Sequence, residues 1–280
     1  KFMRFNVKYI GAGGTVDMSS APILYQEHDF MKRTHGYEVT QLLSGIGGRL
    51  TRFQKESREY KIILSVWRDD MYDTLNGMTD IFDRDIAEKV PGKLFVNDEY
   101  LQCYIVGSDV KNWTLPGNGV AVELTVFAEK PIWVNEELQT FDMFEASATT
   151  GFKLPTAIPF GFTSSAGSRQ LQIDHYTSVF AEISLFGPAT SPSFSIGSHI
   201  YQVFGTLSAG ERYVINQINK TVEKITNSGE VINSFNLRNK EYSAFDPIPA
   251  GESIMTYSGE FPMSITLFYE RGEPKWKVLV

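Results

Sequence analysis

The sequence predicts a mainly β fold: two β-sandwich-type halves, the first carrying one packed α-helix. Three observations predict it. The 280 residues include 20 Phe and 13 Tyr, residue types that favour strands. Many short segments alternate apolar and polar side chains and are separated by turn residues. One segment alone has the helical period.

In order along the chain, residues 5–9 alternate and run into Gly11-Ala12-Gly13-Gly14, a turn. Further strands are expected at 60–67, 93–96, 100–106, 120–127 and 131–134. Asn97-Asp98 is a turn pair, so 93–106 reads as a hairpin. Between the first two of these strands, Met71, Leu75, Met78, Phe82 and Ile86 line one face of a helix spanning about 70–88. Asp69 or Asp70 can cap its start, and Pro91 stops it. Its acidic residues fall opposite the apolar stripe, where they are expected to be exposed.

Composition shifts near 142–168. The stretch 149–168 holds Pro155, Pro159 and a Ser/Gly cluster, which marks a crossover between a first domain, 1–148, and a second, 169–280. Strands then resume at 170–174, 178–186, 199–205, 212–216, 221–226, 231–236, 252–257 and 263–269, the pattern of a second sandwich. Cleavage within 150–168 is expected to release two folded pieces.

Composition also excludes functions. A net charge of −7 argues against a nucleic-acid binder. No apolar run approaches the ~18 residues of a membrane helix, and residues 1–6 lack the apolar core of a secretory signal. One cysteine, Cys103, excludes an internal disulfide, and its apolar strand makes it a buried hydrophobe. His28, His35, His175 and His199 show no zinc-ligand spacing. Gly11–Gly14 lacks the third glycine of a dinucleotide motif, Gly45-Ile46-Gly47-Gly48 lacks the Lys-Ser/Thr of a P-loop and reads as a flexible loop or bulge, and no nucleophile elbow is present. No catalytic, cofactor-binding or metal residue is therefore assigned, and no enzyme is expected. Trp113, Trp133 and Trp276 could stack on sugars by type alone, with core packing the plainer role.

Charge is uneven. Residues 1–145 carry 16 Lys/Arg against 22 Asp/Glu, net −6, while the remainder is net −1. Arg49, Arg52, Lys55 and Arg58 precede Asp73, Asp80 and Asp83 on the helix. These are either two solvated faces or a heterologous interface, in which the basic surface of one copy meets the acidic helix of the next and closes a ring.

Several of these segments resemble the distal tail protein (Dit) family of long-tailed, siphovirus-type phages of Gram-positive hosts. The helix followed by Pro91-Gly92-Lys93-Leu94-Phe95-Val96-Asn97-Asp98-Glu99-Tyr100 resembles the family's helix and strand–turn–strand. The aromatic-proline run 151–162 looks like its join between domains. Phe186-Gly187-Pro188, continuing to Pro192 and Ile196-Gly197, is similar to a family motif, with Phe186 where asparagine is usual. Pro249-Ala250-Gly251 and the strand at 265–269 resemble its closing turn and last strand. The resemblance implies a structural virion protein of the tail-tip or baseplate hub. In it the first domain forms a hexameric ring around a channel for DNA in transit, and the second is a galectin-like sandwich outside. Its implied partners are further copies of itself, the tail tube protein, the tail-tip hub or tail-associated protein, and receptor-binding proteins. Its place is the distal tail of the virion, after assembly in the host cytoplasm. The alternative from a different class is a module that binds cell-wall carbohydrate.

Overall fold

The computed structural model describes residues 5–42, 45–67, 70–115, 119–143 and 167–276. The fold is mainly β with one α-helix, as the alternating patterns require. It divides into two compact units, Lys1–Asn135 together with Glu270–Val280, and Glu136–Tyr269. Of the expected crossover 149–168, residues 149–166 lie outside the described residues.

The first unit begins with β1 (Val7–Gly11), β2 (Gly14–Asp17), β3 (Ile23–His28), β4 (Gly36–Gln41), β5 (Gly48–Gln54) and β6 (Arg58–Val66). Then come α1 (Met71–Glu88), β7 (Gly92–Val96), β8 (Glu99–Leu115), β9 (Gly119–Ala128) and the start of β10 (Trp133–Phe141). Strand β8 is long enough to serve two ladders. Its first residues pair with β7 and β10, and from Tyr104 onward it pairs with β9, which pairs with β6 and through it β3. Its register with β9 shifts after Ile105, after Val110 and after Asn112. Both glycine-poor and glycine-rich turns fall where expected. Gly11 pairs with Gly14 across a two-residue turn, and Asn97, at φ 57°, turns β7 into β8.

The core of this unit joins alternate residues of the sheets, Tyr9, Leu94 and Leu101 with Ile62, Leu64 and Leu124, around Phe30 and Trp133. Trp133 is thus a core residue and leaves the group of possible stacking platforms. Cys103 lies in the same core, and burial pushes its thiol far above the ordinary range. The helix seats Met78 and Phe82 there, with Met71 and Leu75 partly buried. Ile86 does not complete the stripe, being exposed; Asp85 is the buried residue of that turn. This corrects the expectation that every helix acid is exposed. Three residues after Phe82, Asp85 falls on the inward face, and its carboxylate accepts hydrogen bonds from the Tyr9 hydroxyl at 2.6 Å and the Ala12 amide at 2.7 Å. Asp70 occupies the N-cap position without a side-chain capping bond. Lys89 in the left-handed region closes the other end.

The second unit holds β11 (Gly167–Ile173), β12 (Phe180–Phe186), β13 (Ala189–Thr190), β14 (Ser193–Ile196), β15 (His199–Gln202), β16 (Thr206–Leu207) and β17 (Arg212–Asn216). It continues with β18 (Thr221–Ile225), β19 (Val231–Asn233), β20 (Gly251–Tyr257) and, as far as Tyr269, β21 (Met263–Arg271). One ladder runs β19-β18-β17-β12-β21 and a second runs β11-β20-β14-β15. Alternate residues of both ladders meet in one core, Ile183, Ile215 and Ile265 with Ile196, Met255 and Tyr201. Buried Gln217 spans it, accepting from the Ala181 amide and donating to the Asp246 carbonyl.

Residues 136–141 of β10 belong to this second unit. Phe141 is in its core, 6.3 Å from the Tyr257 ring and under Arg169, and Tyr257 donates to the Asp142 carbonyl. A nick within 149–166 is therefore expected to leave its two fragments associated, rather than release them, because the upstream fragment carries Phe141. Size-exclusion chromatography of nicked protein should give one peak under native conditions and two bands after denaturation.

Candidate self-association surface

Among the described residues, strands β4 and β5 pair with each other and with no other strand. A lone two-stranded hairpin is marginal in water unless something covers it. Its side chains sort into two faces. Tyr37 lies opposite Phe53 and Val39 opposite Leu50, whereas Glu38 lies opposite Arg52 and Thr40 opposite Arg49. The register slips by one residue between Glu38 and Val39, leaving Thr51 unopposed. That bulge is what puts Leu50 and Phe53 on the same side, since an unbroken strand would set them on opposite sides. The outcome is one apolar face and one polar, cationic face. The apolar face is uncovered: Tyr37 is 67% and Phe53 65% exposed, and Val39 and Leu50 are exposed too. Aromatic and aliphatic side chains paired across an uncovered ribbon form a contiguous apolar patch, unlike apolar side chains scattered singly over a surface.

The expected loop at Gly45–Gly48 is the connection of this hairpin. Gly45 and Gly47 have φ of 71° and 78°, which non-glycine residues adopt at a cost, and Gly48 begins β5.

The sequence-predicted interface residues fall into three places. Arg49 and Arg52 share the cationic face of the hairpin. Lys55 and Arg58 lie beyond it, at its foot, where Arg58 stacks on Tyr60 at 4.6 Å and donates to the Lys32 carbonyl. Asp73, Asp80 and Asp83 are exposed on α1. At 100° per residue, 73 and 80 differ by about 20° and 83 by about 60° more, so all three share a face. Among the described residues none of the three has an ion pair. The hairpin arginines and helix aspartates do not pair within the chain. Other acids do find cations: Glu123 bridges Lys61 at 2.8 Å and Lys111 at 3.5 Å, and Glu211 bridges Lys224 at 2.8 Å.

No three potential metal ligands converge among the described residues. His28 is stacked on Phe30 at 4.7 Å, and burial lowers its pKa. His199 is hydrogen-bonded to the Ser243 carbonyl. Among the described residues no helix is long and apolar enough to cross a membrane. The sugar-binding alternative finds no support: residues 136–269 contain no tryptophan, so exposed Trp113 and Trp276 lie outside the sandwich that would have to present them.

No protein-family model matches the chain, and no curated protein sequence matches it. Solved structures do. The Dit protein (gp 19.1) of phage SPP1, described as a paradigm of the hub adsorption apparatus in phages infecting Gram-positive hosts, is 12% identical, with a TM-score of 0.62 over 96% of this chain and 99% of that one. A chain of the phage P2 baseplate in its activated conformation with Ca is 12% identical, with a TM-score of 0.62 over 97% of this chain and 100% of that one. A chain of the same baseplate with Sr is 10% identical, again at 0.62. The chain therefore has, over nearly its whole length, the fold of these hub and baseplate proteins.

Proposed function

We propose that this chain is a non-catalytic structural protein of the distal tail of a long-tailed phage or prophage. It self-associates into a ring, with the first unit around a channel that passes DNA and the galectin-like second unit outside. The ring joins the tail tube protein to the tail-tip hub, and receptor-binding proteins attach to it. The protein assembles in the host cytoplasm and ends in the virion. The observation that carries this reading is a fold shared end to end with hub proteins, combined with a hairpin whose apolar face the chain itself leaves uncovered. An acidic first domain also suits a conduit, since like charge keeps phosphates sliding.

Light scattering with mass resolution and negative-stain imaging test it. Closed rings are expected, alone or with the tail tube protein; a monomer under both conditions at tens of micromolar overturns it.

The candidate interface residues belong to the same proposal: Arg49 and Arg52 of one copy face Asp73, Asp80 and Asp83 of the next. Arg49→Glu is expected to weaken self-association about tenfold at low salt and much less near 1 M, where the screening length is about 3 Å. Adding Asp80→Lys and Asp83→Lys should recover most of the loss. Sedimentation equilibrium reads both, and an unchanged constant at low salt would leave the charges as solvated faces.

A further inference from the structure

Where the hairpin meets the first unit, a cavity of about 320 Å³ opens between its two legs, residues 32–36 and 55–58. Lys32, His35, Lys55 and Arg58 line it, with Tyr60 at its back. The single lining acid, Glu56, is held aside by a 3.0 Å hydrogen bond from Gln54. Arg58 is fixed in place. Its guanidinium lies 4.6 Å from the centre of the Tyr60 ring, and Nη1 donates to the Lys32 carbonyl. That bond uses one of five guanidinium donors, and a stacked, half-bonded arginine is preorganised to offer the rest to an oxyanion. Lys55 adds a point charge: its Nζ is 3.5 Å from where a side chain on Gly272 would start, with the Arg33 stem at 3.7 Å from the same point. Partial burial lowers the Lys55 ammonium's pKa, Glu270 opposing this and Arg33 adding to it. A bound anion would relieve that tension.

We propose that this cavity is an oxyanion site, taking a phosphate or carboxylate group between Arg58 and Lys55 with Lys32 and His35 beside it. Lys32 and Lys55 are exposed and His35 and Arg58 half-buried around this half-open pocket, and neighbouring cations that repel one another there are stabilised by an anion that bonds to several of them at once. The group can come from free phosphate or from an acidic side chain of a second copy. Because the site bridges both legs, its occupant also fixes how the hairpin leaves the body of the unit.

Pyrophosphate is the probe, titrated into the full chain by calorimetry at constant ionic strength, with amide shifts read by NMR. Saturable binding is expected, with shifts concentrated at His35, Gly36 and Ser57. Arg58→Ala should weaken it at least tenfold, and Arg58→Lys should recover it only in part because the planar fork is lost. Gly272→Leu, which keeps every charge but fills the cavity, should weaken it as much, and it stands in if Arg58→Ala perturbs folding. Absence of saturable binding, or equal binding by both Arg58→Ala and Gly272→Leu, overturns the proposal. A parallel arm reads the source. Pyrophosphate that lowers self-association in proportion to its occupancy identifies a side-chain carboxylate of a second copy, and binding without that effect identifies a free ion. The titration does not depend on ring formation, so its failure is separable from failure of the proposed function.

Discussion

Replacing Tyr37 and Phe53 together by serine is expected to weaken self-association strongly while leaving the thermal unfolding of both units unchanged. The two rings pair across the hairpin and are about two-thirds exposed, so in the isolated chain they pack against little and their loss removes little stability. Covered by another copy, each would bury most of its apolar surface, worth about 1.5–3 kcal/mol per side chain. Aromatic anchors are also the residues whose truncation most often costs an interface about 2 kcal/mol or more. Together they predict a weakening of association on the order of several hundredfold. Sedimentation velocity of wild type and double variant over a concentration series measures this directly. A second variant, Thr51→Pro at the bulge with both rings kept, is the control for damage to the ribbon itself. Unchanged association in the aromatic variant would mean that copies do not meet through this apolar face, which would then be a surface for a different protein.

The hairpin also shows what the sequence carried and what it concealed. Its first half alternates, Tyr37 and Val39 before the glycine cluster, but Leu50 and Phe53 after it stand three residues apart, so only half of a hairpin signal is present. Arg49, Arg52 and Glu38 interrupt the apolar residues, and the bulge at Thr51 breaks the period-2 pattern that would have revealed it. Period counting assumes an unbroken ladder, so a bulged, doubly exposed ribbon is its weakest case. Strands buried on one face were legible for the opposite reason: Ile183 stands between Glu182 and Ser184, and Val222 between Thr221 and Glu223, because the other face is less buried. Strand β14 was hidden differently. Ser193-Phe194-Ser195-Ile196 is too short and serine-rich to stand out, and its pairing partners, β15 and β20, include one more than 50 residues away. The cationic face was legible as charge, but that Lys55 and Arg58 belong to a cavity at the foot rather than to the hairpin depends on backbone turns no charge pattern encodes.

Asp85 is the position where a single substitution should cost the fold most. Helical period placed an aliphatic stripe ending at Ile86, and the structure instead buries a carboxylate one residue earlier. An acid in the last turn of a helix opposes the helix dipole, so its location is locally unfavourable. What holds it is long-range. Tyr9, from β1, donates at 2.6 Å and the Ala12 amide, from the β1–β2 turn, donates at 2.7 Å, so one side chain fastens the helix end to the first hairpin. Burial, and next the Asp85 carboxylate, push the Tyr9 phenol far above its ordinary value, so it stays a donor at every working pH. Hydrogen bonds to a charged acceptor contribute about 1.5–3 kcal/mol each, and removing the acceptor strands the Tyr9 hydroxyl in the core, while Ala12 lies in an exposed turn. Asp85→Ala is accordingly expected to destabilise the first unit by about 3–5 kcal/mol. That is a fall of roughly 6–20 °C in its unfolding midpoint for a unit of this size, with the second unit's transition unmoved. Tyr9→Phe, which removes one donor and keeps the ring, should cost about half as much or less. Gly11→Ala provides an independent route to the same lesion, because a Cβ there would lie 2.3 Å from Asp85 Oδ2. Calorimetry resolving the two transitions measures all three variants. If Asp85→Ala shifts the first transition no more than an exposed change such as Asp80→Ala, the helix is held by Met78 and Phe82 alone and the carboxylate is a passenger in the core.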